Sequence, residues 1–427
     1  MVVSFWVRAF SAALLAAACI ACERHAPVPS ERSLASSPAS VAGLAAAPDA
    51  ALLSGTLHGD ASRGKELVQH YECNRCHEGT GQGTAALTKN CFSCHEQIMQ
   101  GRFPVSAAAL LRFRPHVESA REAPSLTAIG ARLQAAWIRG YLLAPRDLRP
   151  RLTPTMPRLE LDAEQASDIV AYLTAGARPE SASALPDGNP ERGRELMDQK
   201  GCAGCHAFGG VPDFTALEPA PSGSDAARAA ALAPDLRFTR ERFRKEQLLA
   251  WLLDPQAIKA DTRMPSFGFS PEEARDIASY ILGAALAPEV RPSFTALPLL
   301  TRRVAFDEVN RQVFSRTCHH CHTDAEAAGG DGGPGNTGGF GFAPRGVSFS
   351  SHASILAGYV DAHGQRRSLF EPLADGTPRL VAALLARHDE LKQAPRSDVR
   401  GMPLALPPLS SEDIQLVASW VAQGKPL

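Results

Sequence analysis

The stretch "CNRCHEGTGQGTAALTKNCFSCH", Cys73 to His95, carries two Cys-x-x-Cys pairs, each followed at once by a histidine. Four thiols this close together are one recipe for a structural zinc site. The alternative is that each pair carries its own haem. Two thiols one helical turn apart can add to the two vinyl groups of a porphyrin, which leaves the adjoining imidazole beneath the iron.

Cysteine arithmetic decides between them. Of ten cysteines, Cys19 and Cys22 close an N-terminal apolar run, and the other eight fall into four copies of one pattern. These are Cys73, Cys76 and His77; Cys91, Cys94 and His95; Cys202, Cys205 and His206; and Cys318, Cys321 and His322. A zinc ribbon from the first two pairs leaves the four histidines and two further pairs without a purpose. A redox disulfide of the thioredoxin kind needs a βαβ setting that no copy has. The pattern implies four covalently bound haem c groups.

Outward from the motifs the chain repeats itself. Met156, Met264 and Met402 each precede a proline, and each is followed by a helix of the same grammar: "LDAEQASDIVAYL", "FSPEEARDIASYI" and "LSSEDIQLVASWV". Asp162, Ser270 and Ser410 are the expected N-caps, with Gln165, Glu273 and Asp413 three residues on and Pro271 at a first helical position. Tyr172, Tyr280 and Trp420 occupy one register in the three helices. Upstream, "GDASRGKEL" and "GNPERGREL" stand equally far ahead of their first haem cysteines, and "WIRGYLLAP" and "QLLAWLLDP" match as helices ending before Pro145 and Pro255. A unit repeated in this way predicts three domains of one kind. The third departs in its middle, where "GGDGGPGNTGGFGF" is a glycine-rich loop; with no strand before it and no Gly-Lys-Ser/Thr after it, it is not a phosphate cradle.

Taken together, the haem motif, the later Met-Pro and the closing helix resemble the class I cytochrome c family three times over, across roughly residues 56–427. The resemblance implies an all-α fold, three tandem helical domains wrapped around haems with the first and last helices of each crossing. The expected layout is a signal at 1–22, a tether at 23–55, a di-haem domain at 56–178, and mono-haem domains at 186–287 and 300–427. It also implies a glycine at each helix crossing, opposite the aromatic of the last helix. Gly64 with Tyr172 and Gly193 with Tyr280 fit; Val309 stands there in the third domain, so that crossing is expected to be looser or reorganised.

The motif makes His77, His95, His206 and His322 the proximal iron ligands. Met156, Met264 and Met402 are the expected distal ligands, a soft thioether favouring ferrous iron and raising the potential. Met99 and Met197 lack the proline and read as packing residues. The second haem, on Cys91 and Cys94, has no Met-Pro of its own. Met99 is one turn from His95 on the same helix and cannot reach the other face. His116 follows Pro115, which could turn it back toward that haem, and is the candidate for its distal ligand; His58 and His70 come after it. His319 and His320 read as polar residues on the haem-binding turn, and His352, His363 and His388 as surface or satisfied histidines, any of which could displace Met402 if the third domain departs from family geometry.

The N-terminus carries Arg8 before "AFSAALLAAACIA", too short to span a bilayer comfortably, and reads as an export signal. Cys22, or Cys19, resembles the lipidated cysteine of a bacterial lipoprotein, and the Ala, Ser and Pro-rich stretch after it reads as a tether. A formal net charge of -1 over 427 residues gives no argument for nucleic acid as partner. The expectation is a tetrahaem electron-transfer protein of the bacterial cell envelope, in the periplasm or outer envelope and membrane-tethered through its lipid, exchanging electrons with redox partner proteins. It could serve as the cytochrome subunit of a periplasmic dehydrogenase. The alternative from another class is a haem enzyme, a peroxidase or sulfur-compound oxidoreductase, with the second haem as its open site.

Overall fold

The computed structural model describes residues 58–118, 120, 122–152, 155–178, 187–289, 293–323 and 333–427, and leaves the side chains of Arg112 and His116 undescribed. The expected signal, Cys19, Cys22 and the tether lie outside the described residues, as does the start of the glycine-rich loop. The fold is all-α. Among the described residues the only sheet is an antiparallel pair, β1 (Tyr359–Val360) and β2 (Arg366–Arg367).

The first domain opens with α1 (Ala61–His70), capped by the Asp60 carboxylate on the N–H groups of Ser62 and Arg63. The haem motif follows as a tight 3-10 turn, Cys73–Arg75, entered through Glu72 in the left-handed region. Two helices then intervene, α2 (Cys91–Met99) and α3 (Ala107–Val117). They close a small apolar cluster of their own around Ile98, Phe103 and Val117. Beyond them come α4 (Ala135–Leu143) and α5 (Ala163–Leu173). The second domain repeats this plan with one helix in place of those two: α6 (Pro190–Gln199), the motif turn Cys202–Gly204, α7 (Asp225–Leu232), α8 (Lys245–Leu253) and α9 (Pro271–Gly283).

The helix ends form for the reasons the sequence suggests. Asp162 with Gln165, and Ser270 with Glu273, make full capping boxes. Ser410 caps α13 (Ser411–Ala422) through the N–H of Asp413, without the reciprocal bond.

Crossing of first and last helices rests on the expected glycines, and in the first domain on the expected aromatic too: a Cβ on Gly64 would lie 2.9 Å from the Cβ of Tyr172. A Cβ on Gly64 would lie 1.9 Å from the carbonyl oxygen of Asp168, and one on Gly193 2.1 Å from that of Asp276. In the second domain the nearest atoms to such a Cβ are backbone atoms of Asp276 and Ile277, and Tyr280 packs on Phe208 and Phe214. The same two buried aspartates tie the crossing a second time. Asp168 accepts the N–H of Asp60, and Asp276 that of Asn189, each at 2.7 Å.

In the third domain the crossing is reorganised. The first helix, α10 (Phe306–Val309), continues as a π-helix, Asn310–Cys318, that runs into the haem motif with no left-handed break. Val309 is fully buried, and Trp420 on α13 sits among Phe306, Phe314 and Phe370. Between them lie α11 (His352–Leu356) and α12 (Arg379–Leu391).

The domains join through backbone. Gln134 N–H donates to Arg242 and Arg244 N–H to Arg132, so equivalent segments of the first two repeats pair with each other. The third domain grips the first at the Met156 loop, where Thr155 N–H donates to Ala405 (2.9 Å) and the Arg400 guanidinium to the carbonyl of Arg158 (2.6 Å). Its glycine-rich loop seats Phe340 under the Arg75 guanidinium, 5.2 Å from the ring centre, with Phe340 N–H on the Glu72 carboxylate. Gly341, at φ 78°, lies so near that a Cβ would be 2.6 Å from the Tyr71 ring. That is the work of the glycine-rich loop: it lets one backbone lie flat on the first haem motif.

Candidate haem centres

Three of the four motif histidines are held by a backbone carbonyl, not by another side chain. His77 Nδ1 bonds to the carbonyl of Pro124 and His206 Nδ1 to that of Pro234, both at 2.8 Å, and His95 Nδ1 to that of Ala120. A carbonyl can only accept, so Nδ1 carries the proton and Nε2 is left with the lone pair a metal needs. Burial holds His77 and His206 below the ordinary imidazole range. Burial and the neighbouring His320 push His95 down to about 4. His322 is likewise pushed down to about 4 by burial; its Nδ1 has no hydrogen bond of standard geometry, the backbone of Val347 and Gly335 lying nearest.

None of the eight motif cysteines is joined in a disulfide. Burial raises Cys73, Cys94 and Cys202 to about 11 and Cys318 to about 12. Among the described residues no three His, Cys, Asp or Glu side chains are gathered to hold a metal ion. Cys76 and Cys91 lie side by side, which brings the first two attachment points together.

The third domain holds a pocket that Arg158, Leu159 and Glu160 of the first domain help to line. A cavity of about 720 Å³ has Cys318, Cys321 and His322 in its wall together with Met402, Arg379 and Tyr359. That volume lies within the range of roughly 300–1,000 Å³ usual for cofactor pockets. Met156 and Met264 pack half-buried against the shared core of the first two domains. The Met264 sulfur accepts a hydrogen bond from Trp251 Nε1 at 2.9 Å. Met197 is wholly buried and Met99 ends α2, as packing residues do.

Several expected histidines are engaged elsewhere. His352 Nε2 bonds to the carbonyl of Lys425 and His388 Nε2 to that of Leu409, while His363 lies exposed in a loop. His58 and His70 are exposed. Pro115 does not turn the chain back: it lies inside α3, which continues through His116 to Val117. The side chain of His116 lies outside the described residues.

A group of arginines escaped the sequence reading. Arg132 and Arg242 are buried, and the Nε of each has no hydrogen-bond partner. Burial lowers Arg132 to about 10; burial, Arg149 and Arg132 lower Arg242 to about 9. Buried guanidinium groups crowded together this way require an anion. The carboxylates of a haem supply one, so these residues fit the group the motifs imply. The clue was in the repeat: Arg132 precedes Leu133 as Arg242 precedes Phe243, and these two pairs bridge the domains.

The Cytochrome c family model matches residues 61–176 and 190–285. Over these stretches the chain belongs to the cytochrome c family, which makes it a protein of covalently bound haem c that works by electron transfer. No curated protein and no solved structure matches the chain. Among the described residues no helix is long and apolar enough to cross a membrane.

Proposed function

We propose that the protein is a tetrahaem electron carrier of the bacterial cell envelope, with haems on Cys73/Cys76, Cys91/Cys94, Cys202/Cys205 and Cys318/Cys321. His77, His95, His206 and His322 are the proximal ligands, and Met156, Met264 and Met402 the distal ligands of the first, third and fourth haems. The observation that carries this reading is the fixed tautomer at three motif histidines, each with Nδ1 on a backbone carbonyl. An imidazole so held is pre-oriented to bind iron through Nε2.

The haem supplies the Fe(III)/Fe(II) couple when bound. The chain supplies everything that makes the couple useful. Thioethers at Met156, Met264 and Met402 bias it toward the reduced form, and Trp251 N–H draws electron density from one of them. Arg132 and Arg242 offer buried positive charge to haem carboxylates. Close seams between domains keep the attachment points near one another: the Arg151 guanidinium of the first domain donates to the carbonyls of Ala203 and Gly204 inside the second domain's motif.

The donor and acceptor are redox proteins, and the cytochrome subunit of a periplasmic dehydrogenase is one form that this role could take. A lipid on Cys22 or Cys19 would tether the domains to a membrane through the Ala, Ser and Pro-rich segment. Potentiometric titration of the purified protein tests the electron-transfer reading: four one-electron waves are expected, three of them at the higher potentials of His/Met ligation. Serine at both Cys19 and Cys22 should release haem-loaded protein from membranes. Wild-type protein recovered in the soluble fraction would defeat the tether.

A further inference from the structure

The second haem lacks a Met-Pro, and the fold brings a different group to its proximal histidine. The rings of His95 and His320 lie 5.6 Å apart, centre to centre, with 48° between their planes. They belong to different domains: His95 to α2 of the first, His320 to the haem motif of the third, between Cys318 and Cys321. Two imidazoles on opposite faces of one metal, each nitrogen roughly 2 Å from it, have ring centres about 6 Å apart. An angle of 48° between ring planes is compatible with two rings rotated about one shared axis. We infer that His320 is the distal ligand of the haem on Cys91 and Cys94, so that this haem is ligated by two histidines and bridges the first and third domains.

Three features of the chain prepare His320 for this. In the first two domains the residue before the motif turns left-handed and the motif forms a 3-10 turn. In the third domain the π-helix Asn310–Cys318 enters the motif unbroken, so its two inner residues are displayed differently. His319 is turned inward, with Nε2 on the carbonyl of Phe349 at 2.7 Å, whereas His320 is exposed on the face toward His95. His95 has Nδ1 committed to Ala120, which leaves Nε2 for iron. Finally, the third domain is fixed to the first through Phe340 on Glu72 and Ala405 on Thr155, so the two histidines are held together by the docked domains and not by one loop.

The consequence is a wired pair of haems. His320 lies on the same short turn as Cys318, Cys321 and His322, so the ligand of the second haem belongs to the peptide that carries the fourth. Electrons passing between the domains would have a covalent path through that turn. The second iron would be closed on both faces, which removes the open site that a haem enzyme would need there.

This inference rests on the proposed haem at Cys91 and Cys94, and its test separates the two. Full-length protein matured with a c-type haem-attachment system is compared as wild type, His320→Ala, His320→Met, His319→Ala and His116→Ala, by intact mass and by low-temperature magnetic resonance of the ferric form. Wild type should carry four haems and show one bis-imidazole low-spin signal. His320→Ala should keep four haems, lose that signal entirely, gain a high-spin one and bind one carbon monoxide per chain when reduced; added imidazole should restore the low-spin signal. His320→Met should convert the signal to the histidine–methionine type, and His319→Ala and His116→Ala should leave it in place. Four haems with the bis-imidazole signal persisting in His320→Ala, or lost in His116→Ala, would overturn the ligand assignment alone. A wild-type mass lacking the haem on Cys91 and Cys94 would overturn it together with the tetrahaem reading.

Discussion

Gly193→Ala is the sharpest test of how the fold holds a haem, because the structure fixes both what the new methyl meets and what a control should do. The added Cβ would lie 2.1 Å from the carbonyl oxygen of Asp276, 2.5 Å from its carbon and 3.0 Å from the nitrogen of Ile277, all backbone atoms of α9. No side chain can swing away, so α6 and α9 must part by roughly 1 Å in a close-packed interior. Overpacking of this kind costs about 1–3 kcal/mol. Parting the helices also stretches the 2.7 Å bond from Asn189 N–H to the Asp276 carboxylate, and a hydrogen bond to a charged group is worth about 1.5–3 kcal/mol. A loss of about 3 kcal/mol for the second domain is the expected result. With a urea dependence of about 1–3 kcal/mol per molar, its unfolding midpoint should fall by 1 M or more. Gly283→Ala, at the end of the same α9, meets nothing within 4 Å and needs no positive φ. It should be neutral or stabilise by about 0.4–1 kcal/mol. Urea titration of full-length, haem-loaded protein, followed by its visible spectrum, compares the two. Equal midpoints for both variants would refute the crossing as the constraint on the second domain.

Trp251→Phe removes the N–H that reaches the Met264 sulfur; at about 1 kcal/mol for a net hydrogen bond, the potential of that haem should drop by roughly 40 mV, and an unchanged titration would show that the bond does not act on the iron. Met264→His should keep the iron six-coordinate but lower its potential further, since imidazole favours ferrous iron less than a thioether does; an unmoved wave would remove Met264 from the ligand set. Glu72→Ala takes away the acceptor of Phe340 N–H, so exchange of that amide with solvent should quicken roughly tenfold while the α12 amides are unaffected; no change would mean that the glycine-rich loop is held by other contacts.

Much of the fold was written in periodic features. The capping residues, the crossing glycines of the first two domains and the breaks at Pro145 and Pro255 are local signals, and local chemistry is what a sequence displays most directly. What escaped was of two kinds. Buried charges such as Asp168, Asp276, Arg132 and Arg242 look in sequence like any surface residue, and only their equivalent places in the repeat distinguish them. Contacts between domains left less trace still. Nothing near His116 or Pro115 reveals that α3 runs straight through both, and nothing near Cys318 reveals that the π-helix displays His320 toward a histidine of another domain. The glycine-rich loop was legible as not a phosphate site, but its seat on Tyr71 and Glu72 depends on a docked surface with no sequence neighbour.

The number of haems is the quantity on which the account stands. Intact-mass measurement of the protein, matured with the haem-attachment machinery and freed of non-covalent ligands, should show four haem additions, with peptides containing Cys73, Cys91, Cys202 and Cys318 each carrying one. A mass with two or three additions, or a Cys-x-x-Cys-His peptide recovered with free thiols, would contradict it.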